Sequence, residues 1–198
     1  MINTISILDK IKNIEGWLTD EEANLLVDIT MRGCRELSPP HIILEVGSYQ
    51  GKSTVLLGTV ILENFEGAKL YAIDPHEGTV GAADQGIFSL PPSLEMFNKN
   101  VEEAGLSHVV ELIHNFSFNV VWNKPITILF IDGLHDYSNV ARDFAQFSDW
   151  VLAGGYIAFH DYSDYYPGVK TFVKELVATG NYLKISRAES LIVLQKIA

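Results

Sequence analysis

Apolar residues follow two different spacings along the chain, and the two alternate. Short continuous apolar runs bounded by proline, glycine or aspartate are typical of strands that are buried on both faces of a sheet. Such runs lie at residues 42–46, 69–73, 109–113, 126–131 and 156–160. Two more strands are predicted near the end of the sequence, at residues 182–186 and 190–196, with a short loop between them.

The segments between these runs carry apolar residues at helical spacing. Thr19 followed by Glu22 has the form of a capping box, which favours a helix start at residue 20. Val140, Phe144 and Phe147 lie on one face of another predicted helix. The predicted helices cover residues 20–36, 51–64, 93–104, 137–150 and 169–178.

Strands that alternate with helices predict a parallel sheet covered on both faces, and the final strand pair adds an antiparallel edge. The sequence therefore predicts a doubly wound α/β fold. A length of 198 residues favours one domain over 1–198, with an N-terminal helical segment over 1–38. Residues 75–92 are rich in Gly, Ala, Ser and Pro and receive no helix or strand. A structureless loop of this length is more often functional than idle, so we predict a lid.

Composition limits the partners. The chain has 14 Lys and Arg against 25 Asp and Glu, a net charge of −11. This charge argues against nucleic acids and anionic membrane surfaces as partners, and it favours a small-molecule substrate.

Cys34 is the single cysteine, which excludes an intrachain disulfide. The N-terminus has no signal-peptide pattern and no apolar run reaches about 20 residues, so we expect a cytoplasmic protein. Whether copies of the chain associate stays open.

Polar residues follow the predicted strands at the point where each one ends. In open α/β sheets the ligand crevice lies outside the carboxyl ends of the strands, so these residues share one rim. The first strand is followed by a glycine-bearing turn that contains Gly47 and Gly51. Acids and histidines follow the later strands, at residues 74–76, 132–135 and 160–161.

The glycine turn allows several ligands. Gly51-Lys52-Ser53 resembles a phosphate loop, but three residues separate Gly47 from Gly51 where that loop needs four. The dinucleotide pattern G-x-G-x-x-G is also absent. An adenosine-containing ligand fits better, because Asp74 at the end of the second strand could accept both ribose hydroxyl protons. The alternative is that the glycines only permit a tight turn and that Asp74 caps a loop.

Four segments, taken in their order along the chain, resemble the motifs of a known family: residues 45–54 (EVGSYQGKST), 73–76 (IDPH), 130–137 (FIDGLHDY) and 154–161 (GGYIAFHD). They resemble the motifs of class I S-adenosylmethionine-dependent methyltransferases. More narrowly, they are similar to the branch with the macrocin and mycinamicin sugar O-methyltransferases and the cephalosporin hydroxylase proteins. The resemblance implies a seven-stranded, mostly parallel, Rossmann-like sheet with an antiparallel last strand, and S-adenosylmethionine as cofactor.

The resemblance also implies which residues bind the cofactor. The methionine part would lie against the turn after the first strand, and Asp74 would bind the ribose. Where many relatives have Gly-Asp-Ser to meet the adenine amino group, this chain has Asn115-Phe116-Ser117. Phe116 accepts no such hydrogen bond, which leaves the backbone and Ser117. The implied cofactor-binding residues are Glu45, Gly47, Ser48, Tyr49, Gly51, Ser53, Asp74, Ser117 and Asp132.

In metal-dependent members of the branch, acids after the fourth and fifth strands hold a divalent cation and a nearby histidine acts as base. The implied metal ligands here are Asp132, His160 and Asp161, and the implied catalytic residues are His135 and Asp132. His160 stands where relatives have an acid. Magnesium prefers oxygen ligands and imidazole favours manganese, iron or zinc, so a transition-metal site and a metal-free site both stay open.

His135 has two interpretations. An imidazole titrates near neutral pH, which suits a base that removes a hydroxyl proton. The alternative is that it caps the helix that follows it. The resemblance implies O-methylation of a small hydroxylated molecule; the competing hypothesis is a cofactor-binding protein of the same fold with no methyl transfer or with hydroxylase-like activity.

Overall fold

The computed structural model describes residues 4–197, so residues 1–3 and 198 of the predicted domain lie outside the described residues. The α-helices are α1 Thr4–Ile11, α2 Asp20–Glu36, α3 Lys52–Asn64, α4 Leu94–Glu103, α5 Tyr137–Phe147 and α6 Pro167–Ala178. The strands are β1 Ile42–Val46, β2 Lys69–Ile73, β3 Thr79–Ala82, β4 Gly86–Ser89, β5 Val110–Ile113, β6 Ile126–Ile131, β7 Val151–Phe159, β8 Tyr182–Ala188 and β9 Leu191–Lys196. Within the described range, no helix is long and apolar enough to cross a membrane.

Seven of the strands form one sheet in the order β5-β2-β1-β6-β7-β9-β8. The pairs from β5 to β7 are parallel, and β9 runs antiparallel to both β7 and β8. The predicted α/β fold, with its antiparallel last strand, is therefore confirmed. Parallel neighbours bring the carboxyl ends of β1, β2, β5, β6 and β7 to one edge of the sheet, where polar residues follow them.

The two faces of the sheet are buried against different helices, which explains the continuous apolar runs. Along β1, Ile43 packs in a core with residues of α1 to α4, whereas Leu44 packs in a second core with residues of α5 and α6. Along β6, Phe130 belongs to the first core and Ile131 to the second. Every residue of these strands therefore needs an apolar or fully satisfied side chain.

The predicted structureless segment at 75–92 is wrong, because it contains a hairpin. Strands β3 and β4 pair antiparallel from Thr79 opposite Ser89 to Ala82 opposite Gly86. Each strand has four residues, and β4 is exposed throughout, so no alternation of buried and exposed positions marks it in the sequence. Several other bounds differ by one or two residues, and two differ by more: α5 gives way to a 3₁₀ turn at Ser148, and β7 begins at Val151 rather than at 156.

Candidate functional site

A cavity of about 610 Å³ opens at the carboxyl ends of the parallel strands. Its volume is typical of sites for small molecules and cofactors. The loops after β1, β2, β6 and β7, the α1–α2 loop and the β3–β4 hairpin all contribute to its wall. The predicted site residues on the wall are Gly47, Ser48, Tyr49, Ser53, Asp74, Ser117, Asp132, His135, His160 and Asp161. Glu45 and Gly51 are not on the wall.

The turn after β1 is shaped by Gly47 and by Asp74. Gly47 has a φ of 84°, and a Cβ there would lie 2.2 Å from the carbonyl oxygen of Asp132. Only glycine therefore lets the β1 and β6 loops meet. The backbone N–H groups of Ser48 and Tyr49 donate to Asp74 Oδ2 at 2.7 and 2.9 Å, and the N–H of His76 donates to Oδ1 at 2.6 Å.

These three amides use most of the acceptor capacity of Asp74, since a carboxylate has about four lone-pair sites. About one acceptor position of Asp74 is therefore left for a ligand, whereas binding both ribose hydroxyls would need two. Asp74 is both a wall residue and the group that holds the turn. Its contact with a ribose stays a prediction.

Glu45 lies beneath this turn and is fully buried. The hydroxyls of Ser53 and Thr54 donate to its two carboxyl oxygens. Burial raises the pKa of Glu45, the two hydroxyls oppose the rise, and the result is about 8. Glu45 therefore supports the start of α3 as a neutral acid at pH 7 rather than contacting the cavity.

Ser48 has a buried hydroxyl with no partner. Its Oγ makes no hydrogen bond to any residue in the described part of the chain, although Ser48 lines the cavity. A buried hydroxyl without a partner carries a free-energy cost that a ligand can remove. Ser48 is thus available to a polar ligand.

His160 is surrounded by carboxylates on the cavity wall. Its Nδ1 lies 3.2 Å from Asp132 Oδ1 and 2.9 Å from Asp161 Oδ2, and its Nε2 lies 3.1 Å from Glu22 Oε2. Burial acts to lower the pKa of His160, but the three acids outweigh it and hold the pKa well above its ordinary value. The ring is therefore an imidazolium that donates from both nitrogens and offers no lone pair to a cation.

His135 faces the same acids without being buried among them. Its Nδ1 lies 3.3 Å from Asp161 Oδ2, and its ring packs on that of Tyr166 with centroids 4.5 Å apart. The helix-capping role belongs to Asp136, whose side chain accepts from the N–H of Asn139 as the N-cap of α5. The imidazole of His135 is therefore not needed to cap the helix.

The hairpin contacts the loop that carries His135. The N–H of His135 donates to the carbonyl of Gly81 at 3.0 Å, and the N–H of Ala83 donates to Asp136 Oδ2 at 3.4 Å. Phe88 of β4 contributes to the cavity wall. The segment predicted as a lid thus forms part of the cavity wall, and its movement as a lid stays a prediction.

Asp132, His135 and Asp161 form a group that could hold a metal ion, with one ligand atom from each residue and all of these atoms within 4.8 Å of one another. Two carboxylates and an imidazole suit transition metals better than magnesium. His160, which the sequence suggested as a ligand, is not part of this group.

Residues 44–162 match the family model described as a methyltransferase domain. This chain belongs to that methyltransferase family.

Among curated proteins, the uncharacterized protein R132 of Acanthamoeba polyphaga mimivirus is 31% identical over 139 residues, which are 68% of this chain. The chain spans only 58% of the length of that relative. The structure of the O-methyltransferase NovP matches with a TM-score of 0.77 at 16% identity, covering 92% of this chain and 84% of NovP. The SAH-bound Podospora anserina methyltransferase PaMTH1 matches with a TM-score of 0.68 at 11% identity, covering 100% of this chain and 89% of that chain. At these identities the solved structures show the shared fold.

The cavity wall of this methyltransferase domain contains three non-glycine residues with a left-handed backbone conformation. These residues are Tyr49, Asp161 and Glu189, with φ values of 45°, 59° and 45°. Non-glycine residues in this region carry strain that concentrates at functional sites.

Sequence reasoning missed the role of Glu22 in the methyltransferase domain. As the third residue of α2, it completes the predicted capping box with Thr19. Its Oε1 also accepts from the N–H and hydroxyl of Ser190 at 3.0 and 2.6 Å, and its Oε2 reaches His160. Burial acts to raise the pKa of Glu22, but these hydrogen bonds dominate and hold it at about 2.

Asp143 was also missed. It is 3% exposed, lines the cavity from α5, and accepts a 2.5 Å hydrogen bond from the hydroxyl of Ser117. Burial raises its pKa to about 6, with Ser117 opposing the rise. The available signal was a carboxyl group between Val140 and Phe144 on the apolar face of an amphipathic helix.

Proposed function

We propose that this chain transfers the methyl group of S-adenosylmethionine to a hydroxyl group of a small molecule. The observation that carries the proposal is His135, which lies on the cavity wall beside Asp161 and has no capping role. Membership of the methyltransferase family and the fold shared with the O-methyltransferase NovP support it.

The cavity has the features that the cofactor requires. Its wall carries eight acidic side chains against Lys52, Arg142 and the imidazolium of His160, an excess of negative charge that suits the positive sulfonium and amino groups of S-adenosylmethionine. The free hydroxyl of Ser48 and the remaining acceptor site of Asp74 provide polar partners. When bound, the cofactor supplies an electrophilic methyl group.

In the proposed mechanism, His135 acts as general base. The negative charge of Asp161, 3.3 Å from Nδ1, favours the proton on that nitrogen, which leaves Nε2 to accept the acceptor's hydroxyl proton. Attack of the acceptor oxygen on the methyl carbon would break the carbon–sulfur bond and release S-adenosylhomocysteine, while the hydroxyl proton would pass to Nε2 and Asp161 would stabilise the resulting imidazolium. His160 contacts both Asp132 and Asp161 and balances their charges close to the base.

A divalent cation remains a separate proposal. Asp132, His135 and Asp161 would hold it, in place of the set with His160 that the sequence suggested. A cation there would lower the pKa of the acceptor hydroxyl. No step of the mechanism above depends on it.

The acceptor is proposed to be neutral or positively charged, because the acid-rich wall repels phosphate and carboxylate groups. Trp17, which is 61% exposed, packs on Tyr49 with ring centroids 5.1 Å apart beside the cavity. These rings offer a flat surface to a phenol or a sugar.

Calorimetry with S-adenosylmethionine and S-adenosylhomocysteine, in EDTA and with added Mn²⁺ or Mg²⁺, tests the cofactor. Transfer of labelled methyl to neutral, cationic and anionic phenols and sugars tests the reaction. We expect binding of both ligands and transfer to neutral or cationic acceptors. Absence of binding would contradict the proposal, and binding without transfer to any acceptor would favour the cofactor-binding alternative.

A further inference from the structure

Asp143 presents a half-satisfied carboxyl group inside the cavity. Its Oδ1 accepts from Ser117, and within residues 4–197 its Oδ2 receives no hydrogen bond. Asp143 lines the cavity, so this oxygen can accept a hydrogen bond from a ligand bound there. Asp143 Oδ2 is therefore an acceptor that is open to a ligand.

The nearest cation does not supply that partner. The Arg142 guanidinium donates to Asn139 Oδ1 and lies over the ring of Phe118, 4.2 Å from its centroid. Arg142 thus lowers the pKa of Asp143 only through its charge, without a hydrogen bond. Oδ2 is therefore left free for a donor from a ligand in the cavity.

Oδ2 lies at the floor of the cavity beside the β6 loop. A Cβ on Gly133 would lie 3.1 Å from Oδ2, so the absence of a side chain at Gly133 leaves room between that oxygen and the backbone of the loop. Gly133, Ser117 and Asp143 all line the cavity. They mark the end of the cavity that is formed by the loops after β5 and β6.

An adenosyl ligand would reach this end with its base. Under the proposed function, the turn at 47–49 meets the methionine part and Asp74 after β2 meets the ribose. Strand β5 is the neighbour of β2 on the side away from β1, so the base extends towards Ser117. Phe116 in that loop stacks on Phe118 and provides no acceptor.

We infer that Asp143 Oδ2 accepts a hydrogen bond from the exocyclic amino group of the cofactor's adenine, and that Ser117 positions this carboxyl group. The inference rests on the proposed function, since it requires an adenosyl ligand. It makes Asp143 the residue that distinguishes a 6-amino purine from a 6-oxo purine. With a pKa of about 6, the carboxyl group is mostly ionised at pH 7.5 and acts as an acceptor.

The test is calorimetry at pH 7.5 with S-adenosylhomocysteine and S-inosylhomocysteine, which carries an oxygen in place of the amino group. We expect the unmodified protein to bind the adenosyl ligand at least tenfold more tightly, because a hydrogen bond to a charged group is lost. Asp143→Asn should weaken adenosyl binding at least tenfold and narrow or reverse the preference, since the amide can donate to the 6-oxo group. The exposed Asp149→Asn is the matched control and should leave both affinities unchanged.

An equal loss of affinity for both ligands in Asp143→Asn would mean a structural role and would overturn the inference. Should that variant fail to fold, S-adenosylhomocysteine dimethylated at the amino nitrogen tests the unmodified protein, and binding as tight as that of the parent ligand would overturn it. If neither purine ligand binds the unmodified protein, the proposed function falls together with this inference. Tight adenosyl binding without discrimination removes the inference alone.

Discussion

Both ends of the cavity carry buried acids, but different partners satisfy them. At the end with His135, the acids Glu22 and Asp161 bond to the imidazolium of His160. At the other end, Asp143 receives a hydrogen bond from the hydroxyl of Ser117. Glu45, which lies beneath the cavity wall, receives hydrogen bonds from the hydroxyls of Ser53 and Thr54. Burial favours the neutral form of each acid, yet the pKa of Glu22 is held at about 2 while that of Glu45 rises to about 8.

The comparison shows that the partner decides the charge of a buried acid. A hydroxyl bonds to a carboxylate but brings no charge, so it cannot offset the loss of water around the ionised form. An imidazolium offsets it. Ionised acids next to His135 suit proton transfer, whereas acids close to neutrality suit recognition by hydrogen bonds. The cavity thus combines a charged end with a weakly charged end.

The largest expected effect comes from removing the base at the charged end. His135→Ala should lower turnover by about 10² to 10⁴, the usual contribution of general-base catalysis, with binding of S-adenosylhomocysteine nearly unchanged. Turnover, calorimetry and melting temperature are measured on the same samples. The exposed His108→Ala is the matched control and should keep full activity. A destabilised but active His135→Ala variant would remove His135 from the mechanism.

Breaking the charged network itself should cost stability. Glu22→Gln leaves His160 without its Nε2 carboxylate, and the loss of one partner from a buried ion pair costs about 3 to 5 kcal/mol. The free energy of unfolding from urea denaturation at pH 7 measures this loss. Glu21→Gln, an exposed neighbour on the same helix turn, should change it little.

The pH dependence of the Glu22→Gln deficit provides a second check. Because folding lowers the pKa of Glu22 from 4.5 to about 2, its stabilisation is complete above pH 4.5 and is lost as the pH falls through 2. The difference between the unmodified protein and the variant should therefore shrink below pH 4.5. A difference that stays constant down to pH 2 would contradict the ionised state of Glu22.

The sequence predicted local features well and long-range ones poorly. The bounds of α2 and β1 match the predictions because a capping box begins the helix and Pro39-Pro40 separates it from the strand. The 75–92 hairpin was missed because its pairing depends on backbone hydrogen bonds. The contact of Glu22 with His160 joins residues 138 positions apart, and no local pattern indicates such a contact.

Some features of the candidate site could likewise be predicted from the sequence, and others could not. Motif positions indicated correctly that Asp132, His135 and Asp161 converge, because each follows a parallel strand at the same edge. The spacing could not show that Glu45 lies beneath the wall or that both nitrogens of His160 face carboxylates. Those features depend on side-chain packing between elements.

The smallest expected effect concerns Glu45. The stability that Glu45 contributes falls as the pH rises, which is opposite to the pH dependence expected for Glu22. Glu45→Gln replaces a neutral acid by a neutral amide of similar shape, so the variant should fold. Since folding raises the pKa of Glu45 from 4.5 to about 8, the unmodified protein loses stability as the pH rises between these values, and the variant does not. From pH 5.5 to pH 7, the variant should gain about 2 kcal/mol relative to the unmodified protein, since one pKa unit corresponds to about 1.4 kcal/mol.

Urea unfolding at both pH values measures this gain in the free energy of unfolding. The exposed Glu111→Gln on β5 should show none, and Asp143 contributes equally to both proteins. A constant difference would mean that Glu45 is ionised in the folded protein and that its hydroxyl partners do not leave this buried acid neutral.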